Sequence, residues 1–202
     1  MDLKFSLYNH RDLPDELRTD LYRKRKITFK DRLNWEVSCI GDCEYDKYDD
    51  KNTLYLIGTY ADAVICGVRF IDTSFPHMQS DTFNRFFSES IHYQTEPLLE
   101  SSRFFIDKKA ALSLRQLPVC QLLFLAMIDT AMSHSYQHIL TLTSKGMLAI
   151  LKKCGWEPQI IATGQANLNE TVYLLKLKSD PFIKKAIQSK IKKNFSCVEN
   201  EK

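Results

Sequence analysis

Over residues 3–8 apolar and polar side chains alternate, Leu3, Phe5 and Leu7 against Lys4, Ser6 and Tyr8, and a period of two predicts a strand. Asp12 ahead of Leu13 and Pro14 reads as a helix start, and the helix is expected to run to about Phe29, its stripe marked by Leu17, Leu21, Lys24 and Thr28. Residues 36–53 are polar without a clear period, a long connection of the kind that is functional or disordered. Two β-rich runs, 54–60 and 64–71, flank Ala61-Asp62-Ala63 and predict a hairpin. A short helix is expected over 81–87, with Phe83, Phe86 and Phe87 on its apolar face, and a strand over 98–106. Pro118 opens the most regular helix, patterned by Leu122, Leu125, Ala126, Met127 and Ile128. A strand over 138–143 leads to Ser144, a helix cap, and that helix runs through Met147, Leu148, Leu151 and Cys154 to Gly155, its stop. Strands over 159–162 and 171–177 follow, then a basic helix from Asp180 to about Lys193.

This order predicts an α/β protein, a three-layer α-β-α sandwich with a central mixed sheet. It resembles the acetyltransferase-like (GNAT-like) fold, in which neighbouring central strands splay and admit a thioester. Residues 1–180 are expected to form one domain, and 181–202 a basic helix and frayed tail.

Composition narrows the function classes. The chain has 202 residues, 44% hydrophobic and 26% charged, with net charge +3, so nothing calls for a nucleic-acid partner. The N-terminus is too short and polar for a signal peptide, and no run approaches 18 apolar residues, so a cytoplasmic protein outside the membrane is expected. Cys39, Cys43, Cys66, Cys120, Cys154 and Cys197 are scattered with no Cys-x-x-Cys, which suits reduced thiols. His134 and His138 lie four apart but lack the accompanying glutamate, and no metal is expected.

The candidate chemistry centres on Glu100-Ser101-Ser102-Arg103, an acid and an arginine inside an apolar strand. Buried ions are costly unless paired. Strand alternation puts Glu100 and Ser102 on one side and Ser101 and Arg103 on the other, unless a bulge re-aims them. Partners are available in Arg25, Asp46, Asp49 and Arg69, each beside apolar or aromatic residues. Arg25 lies within a run, Arg23 to Lys26, of the kind that is usually a solvated face, but it shares a helical face with Phe29.

Arg25, Phe29 and Trp35 in the spacing R-x-x-x-F-x-x-x-x-x-W, then Asp46 and Asp49 as D-x-x-D, Arg69 in C-G-V-R-F, Phe83 in T-F, and E-S-S-R together resemble the acyl-homoserine-lactone synthases, the LuxI-type autoinducer synthases. The match runs from Leu21 to Leu177. It departs at R-F-I-D-T, residues 69–73, where the family more often has R-L-L-P-T, a loop outside the charged cluster.

The resemblance implies an acyltransferase that acylates the amine of S-adenosylmethionine from acyl carrier protein, then closes the lactone and releases methylthioadenosine. S-adenosylmethionine is then a substrate, and no cofactor is expected. The catalytic residues it implies are Glu100, Arg103, Arg25, Asp46, Asp49 and Arg69, with Glu100 the candidate base. Phe29, Trp35, Asp46, Phe83, Arg103 and Phe105 are implied for S-adenosylmethionine. Ser102, Phe124, Met127, Thr141, Met147 and Leu151 are implied for the acyl chain. Thr141 matches a position where threonine favours a 3-oxo chain, here of about six carbons. Carrier protein is acidic, and Lys145, Lys152 and Lys153 are its expected docking residues, with Arg23 to Lys26 second.

Two other readings stand beside this one. A coenzyme A-dependent N-acyltransferase of the same fold would want a glycine-rich phosphate loop, and residues 107–118 hold no glycine. A non-catalytic ligand-binding relative would not need Glu100, Arg103, Asp46 and Asp49 together.

Overall fold

The computed structural model describes residues 2–89, 91, 97–114 and 117–199, with side chains to 192 in the last helix. The chain divides into two compact units, Met1–Ile71 with Ser101–Leu123, and Asp72–Glu100 with Phe124–Lys202.

In the first unit β1 (Lys4–Asn9) pairs antiparallel with β4 (Thr53–Tyr60), which pairs antiparallel with β5 (Ala63–Asp72). The β4–β5 turn is the expected short one, with Ala61 and Asp62 both at positive φ, 48° and 63°, the mirror-image turn whose twist suits a hairpin. Strand β6 (Leu99–Ile106) lies beside β5. Helix α1 (Asp15–Lys26) buries Leu21, Tyr22 and Arg25. Of the expected stripe Leu21 and Thr28 are buried and Leu17 is half-buried, while Arg25 and Phe29 rather than Lys24 complete it. Leu21 and Phe29 pack with Leu13, Tyr22, Tyr55, Ile57, Val64 and Phe105.

The α-helix ends at Lys26, not Phe29, and passes into a wider π-type turn, Ile27–Arg32. Such turns collect at functional sites. Here the turn returns the chain so that Trp35 stacks on Phe29, ring centres 5.2 Å apart. The connection over 36–53 is not featureless, since β2 (Cys39–Ile40) and β3 (Cys43–Glu44) form a small hairpin within it. Helix α2 (Lys108–Ser113), which the pattern did not reveal, is capped by Asp107.

In the second unit β7 (His138–Ser144) pairs antiparallel with β9 (Glu170–Lys178), which pairs antiparallel with β8 (Gln159–Asn167). Helix α3 (Val119–Ser133) precedes β7. Helix α4 (Lys145–Cys154) is capped by Ser144, whose hydroxyl accepts from the Met147 N–H, and ends at Gly155 with φ 91°, a conformation that favours glycine. Helix α5 (Pro181–Glu199) outruns the expected Lys193. In place of a helix over 81–87 there is a π-type turn, Gln79–Phe83, and a single 3-10 turn, Asn84–Phe86. Leu98, Leu140 and Leu174 form an apolar cluster, and fully buried Trp156 packs edge-on against Phe124 while donating to the Lys178 carbonyl at 2.9 Å.

Candidate active site

Three arginines and three carboxylates interlock in the first unit. Arg25 on α1 donates from Nε to Glu44 (2.6 Å) and from its two terminal nitrogens to Asp49 (2.7 and 2.9 Å). Arg69 on β5 makes the same two-pronged contact with Asp46 (2.6 and 3.2 Å), lies 3.1 Å from Asp49, and donates from Nε to the Ser102 hydroxyl at 3.1 Å. Arg103 on β6 donates from Nε to Glu44 at 3.0 Å and from Nη2 to Asp46 at 2.8 Å. Three positive and three negative charges cancel, which is what makes so dry a cluster tolerable.

Burial sorts these ions. The side chains of Arg25, Arg69, Glu44 and Asp49 are at most 1% exposed, whereas Arg103 is 7% and Asp46 13% exposed. Burial pushes the Asp49 carboxyl up, but the charges of Arg25 and Arg69 override it and hold the group well below the usual carboxylate range. Burial likewise works against Arg25, yet Asp49 and Glu44 raise it well above an ordinary guanidinium. Arg103 goes the other way, because burial and the like charges of Arg69 and Arg25 outweigh Glu44 and Asp46. It is the cation the cluster favours least.

Arg103 also carries the backbone irregularity. Its φ is 55°, left-handed in mid-strand for a residue with a long side chain. Strict alternation would send Ser102 and Arg103 to opposite faces. Both reach the same cluster instead, Ser102 through Arg69 and Arg103 through Glu44 and Asp46. The simple alternating pattern is corrected here, and the distortion aims Arg103 inward at a strain of about 1–3 kcal/mol.

Aromatic rings line the cluster. The Arg103 guanidinium lies 5.6 Å from the Phe29 ring centre, and Trp35, 42% exposed, stacks on that ring. Phe105 is buried in the apolar cluster of this unit.

Arg25, Asp46, Asp49, Arg69, Ser102 and Arg103 thus meet as one network. Glu44 was not singled out from the sequence, although it is wholly buried and bridges Arg25 and Arg103. No periodic signal marked it, because the chain turns over residues 46–49, where the Asp49 N–H donates to the Asp46 carbonyl at 3.0 Å. Tyr48 is buried too, with the Arg69 guanidinium 5.7 Å from its ring centre.

The second unit holds the other candidates. Glu100 is 3% exposed, and its two oxygens accept from the backbone N–H groups of Met78 (3.1 Å) and Gln79 (2.6 Å), which ties it to the Gln79–Phe83 turn. Phe83 is half-buried and stacks on Phe86 at 5.7 Å. Phe124, Met127, Leu151 and Thr141 are buried and Met147 is half-buried. Lys145, Lys152 and Lys153 are exposed along α4. Of the basic run on α1, Arg23 is exposed, Lys24 pairs with Asp107 and Lys26 with Asp31, while Arg25 is fully internal. Among the described residues no group of histidine, cysteine or acidic side chains is arranged to hold a metal, and no helix is long and apolar enough to cross a membrane.

The family model described as autoinducer synthase matches residues 8–187. An acyl-homoserine-lactone synthase of Enterobacter agglomerans is 42% identical over 85% of this chain and 80% of its own length. One of Pectobacterium carotovorum subsp. carotovorum is 40% identical over 96% and 90%. Among solved structures, the CoA-dependent acyl-homoserine lactone synthase BjaI, with SAM and isopentyl-CoA, is similar at a TM-score of 0.82 and 18% identity, covering 94% of this chain and 90% of that one. An acyl-CoA N-acyltransferase from Pseudomonas aeruginosa is similar at a TM-score of 0.56 and 11% identity, over 87% and 99%. The fold is thus acetyltransferase-like, α/β with a mixed central sheet flanked by helices.

Proposed function

The chain belongs to the autoinducer synthase family and is an acyltransferase that makes an acyl-homoserine lactone, and from that premise we propose how its residues divide the reaction. The substrates are S-adenosylmethionine and a short 3-oxo acyl group, about six carbons, on acyl carrier protein. The amine nitrogen attacks the thioester carbon, the carbon–sulfur bond breaks, and the carrier thiol leaves. The amine proton passes to Glu100, directly or through a water. Backbone N–H groups of the distorted 101–103 segment stabilise the oxyanion of the tetrahedral intermediate. The methionine carboxylate then attacks its own γ-carbon, the bond to the sulfonium breaks, and methylthioadenosine departs neutral. That step needs orientation more than an acid.

The observation that carries this reading is the sorting of the charged cluster. Asp49 and Glu44 are internal braces, whereas Asp46 is the most exposed of the three carboxylates and suits the sulfonium cation, with the partly exposed Trp35 ring stacked on Phe29 nearby. Arg103 is the least favoured cation and suits the substrate carboxylate, which would add a negative charge beside it. The Thr141 hydroxyl suits the 3-oxo carbonyl, and Lys145, Lys152 and Lys153 an acidic carrier surface.

A coenzyme A donor is less well supported. The N–H groups at the start of α2, where a pyrophosphate would be sought, are taken by the Asp107 carboxylate, which accepts from Lys109 (2.9 Å) and Ala110 (3.2 Å). A phosphate would meet a carboxylate there.

The test is to incubate the purified protein with S-adenosylmethionine and a mixture of acyl carrier proteins and to identify products by mass spectrometry. A 3-oxo acyl-homoserine lactone with methylthioadenosine is expected. Lactone formed only from coenzyme A thioesters would replace the carrier with coenzyme A, and no lactone from any donor would refute the reading.

A further inference from the structure

Asp49 is surrounded by donors from the protein itself. Oδ1 accepts from Arg25 (2.7 Å) and the Tyr55 hydroxyl (2.8 Å), with Arg69 at 3.1 Å, and Oδ2 accepts from Arg25 (2.9 Å) and the backbone N–H of Asp46 (2.8 Å). Asp49 therefore acts on a substrate only through the groups it holds, Arg69 and Asp46 foremost. Tyr55 is 1% exposed on β4, directly across the hairpin from Arg69 on β5.

The direction of each bond follows from proton counting. An ionised carboxylate only accepts, so the single Tyr55 proton goes to Asp49. The Tyr55 oxygen also lies 3.1 Å from the Tyr22 hydroxyl and 3.2 Å from Nδ1 of His10. With its proton committed, it accepts from both. Tyr22 is then a donor, and His10 carries its proton on Nδ1. Burial and the charge of Asp49 push the Tyr55 phenol far above its ordinary value, so it keeps that proton.

We propose that Tyr55 is a positioning residue of the reaction, acting through Asp49 on the Arg69–Asp46 pair, with its hydroxyl oriented by Tyr22 and His10. The proposal rests on the function above, in which Asp46 faces the sulfonium. Removing the hydroxyl frees Asp49 to shift towards Arg25, and Arg69 and Asp46 follow it.

The experiment is steady-state kinetics of Tyr55→Phe with S-adenosylmethionine and the acyl donor varied separately, alongside nitrogen-15 NMR of His10 in the wild type. The variant is expected to raise KM for S-adenosylmethionine about tenfold, the loss of one hydrogen bond to a charged group. KM for the acyl donor and kcat are expected to move less than about twofold, the pattern of lost ground-state binding. A hydroxyl that only supported folding would lower the active fraction, so that kcat fell with KM unchanged, and that result overturns the proposal. Neutral His10 is expected as the Nδ1–H tautomer, and the Nε2–H tautomer overturns the hydrogen-bond order even if the variant fails to fold. A wild type that makes no lactone refutes the proposed function instead, while the His10 spectrum still reports on the network.

Discussion

Replacing Glu44 with glutamine separates a buried ionic cluster from a merely crowded surface. The glutamine keeps the shape of the side chain and removes one charge, leaving three guanidinium groups against two carboxylates. Glu44 is 0% exposed, and its partners Arg25 and Arg103 are 1% and 7% exposed. Taking one member from a pair so buried costs about 3–5 kcal/mol, because the remaining charge stays desolvated. A pair in water would cost roughly 0–1 kcal/mol. At about 2–4 °C per kcal/mol for a chain of this size, the melting temperature should fall by roughly 6–20 °C. The assay is urea and thermal unfolding of the wild type, Glu44→Gln, Arg25→Met and the double variant. The two changes should couple by about 1–3 kcal/mol, so the double variant loses less than the sum. A single-variant loss under about 1 kcal/mol would refute the reasoning.

Acid should expose the same cluster through Asp49. Its folded pKa lies below the ordinary 3.8, so its contribution is fully present above about pH 5 and is lost progressively as pH falls through the ordinary value towards the depressed one; the stability gap between wild type and Asp49→Asn should hold from neutrality to about pH 5 and narrow below it, and a constant gap counts against it. Glu100→Gln should lower the acylation rate by roughly 10²–10⁴-fold if the carboxylate takes the amine proton, measured by single-turnover acyl transfer, and unchanged turnover ends that assignment. Thr141→Val should reduce the preference for 3-oxo over unsubstituted acyl donors, and an unaltered product ratio from mixed donors would dismiss the hydroxyl's role.

The chain by itself determined the long, strongly patterned elements, though not the end of α1, the β2–β3 hairpin, the turns over 79–86 or α2. Caps and stops are short-range chemistry, and Ser144 and Gly155 behave as their residue types require, whereas Ala61 takes a positive φ that its residue type disfavours. The spaced residues from Arg25 to Arg103 likewise pointed to the family, because a motif keeps its order whether or not its partners are known. Tertiary structure decided the charged partnerships. Glu44 joins Arg25 across 19 residues and Arg103 across 59, distances over which no periodicity in the chain carries information. The four-residue spacing already put Arg25 on the Phe29 face, but tertiary structure decided that it is sealed there between Glu44 and Asp49 while Arg23, two residues away, is exposed. The left-handed Arg103 belongs to the same class. Local propensity disfavours that backbone, and the side chain it carries is met by Glu44 and Asp46, partners far away in the chain.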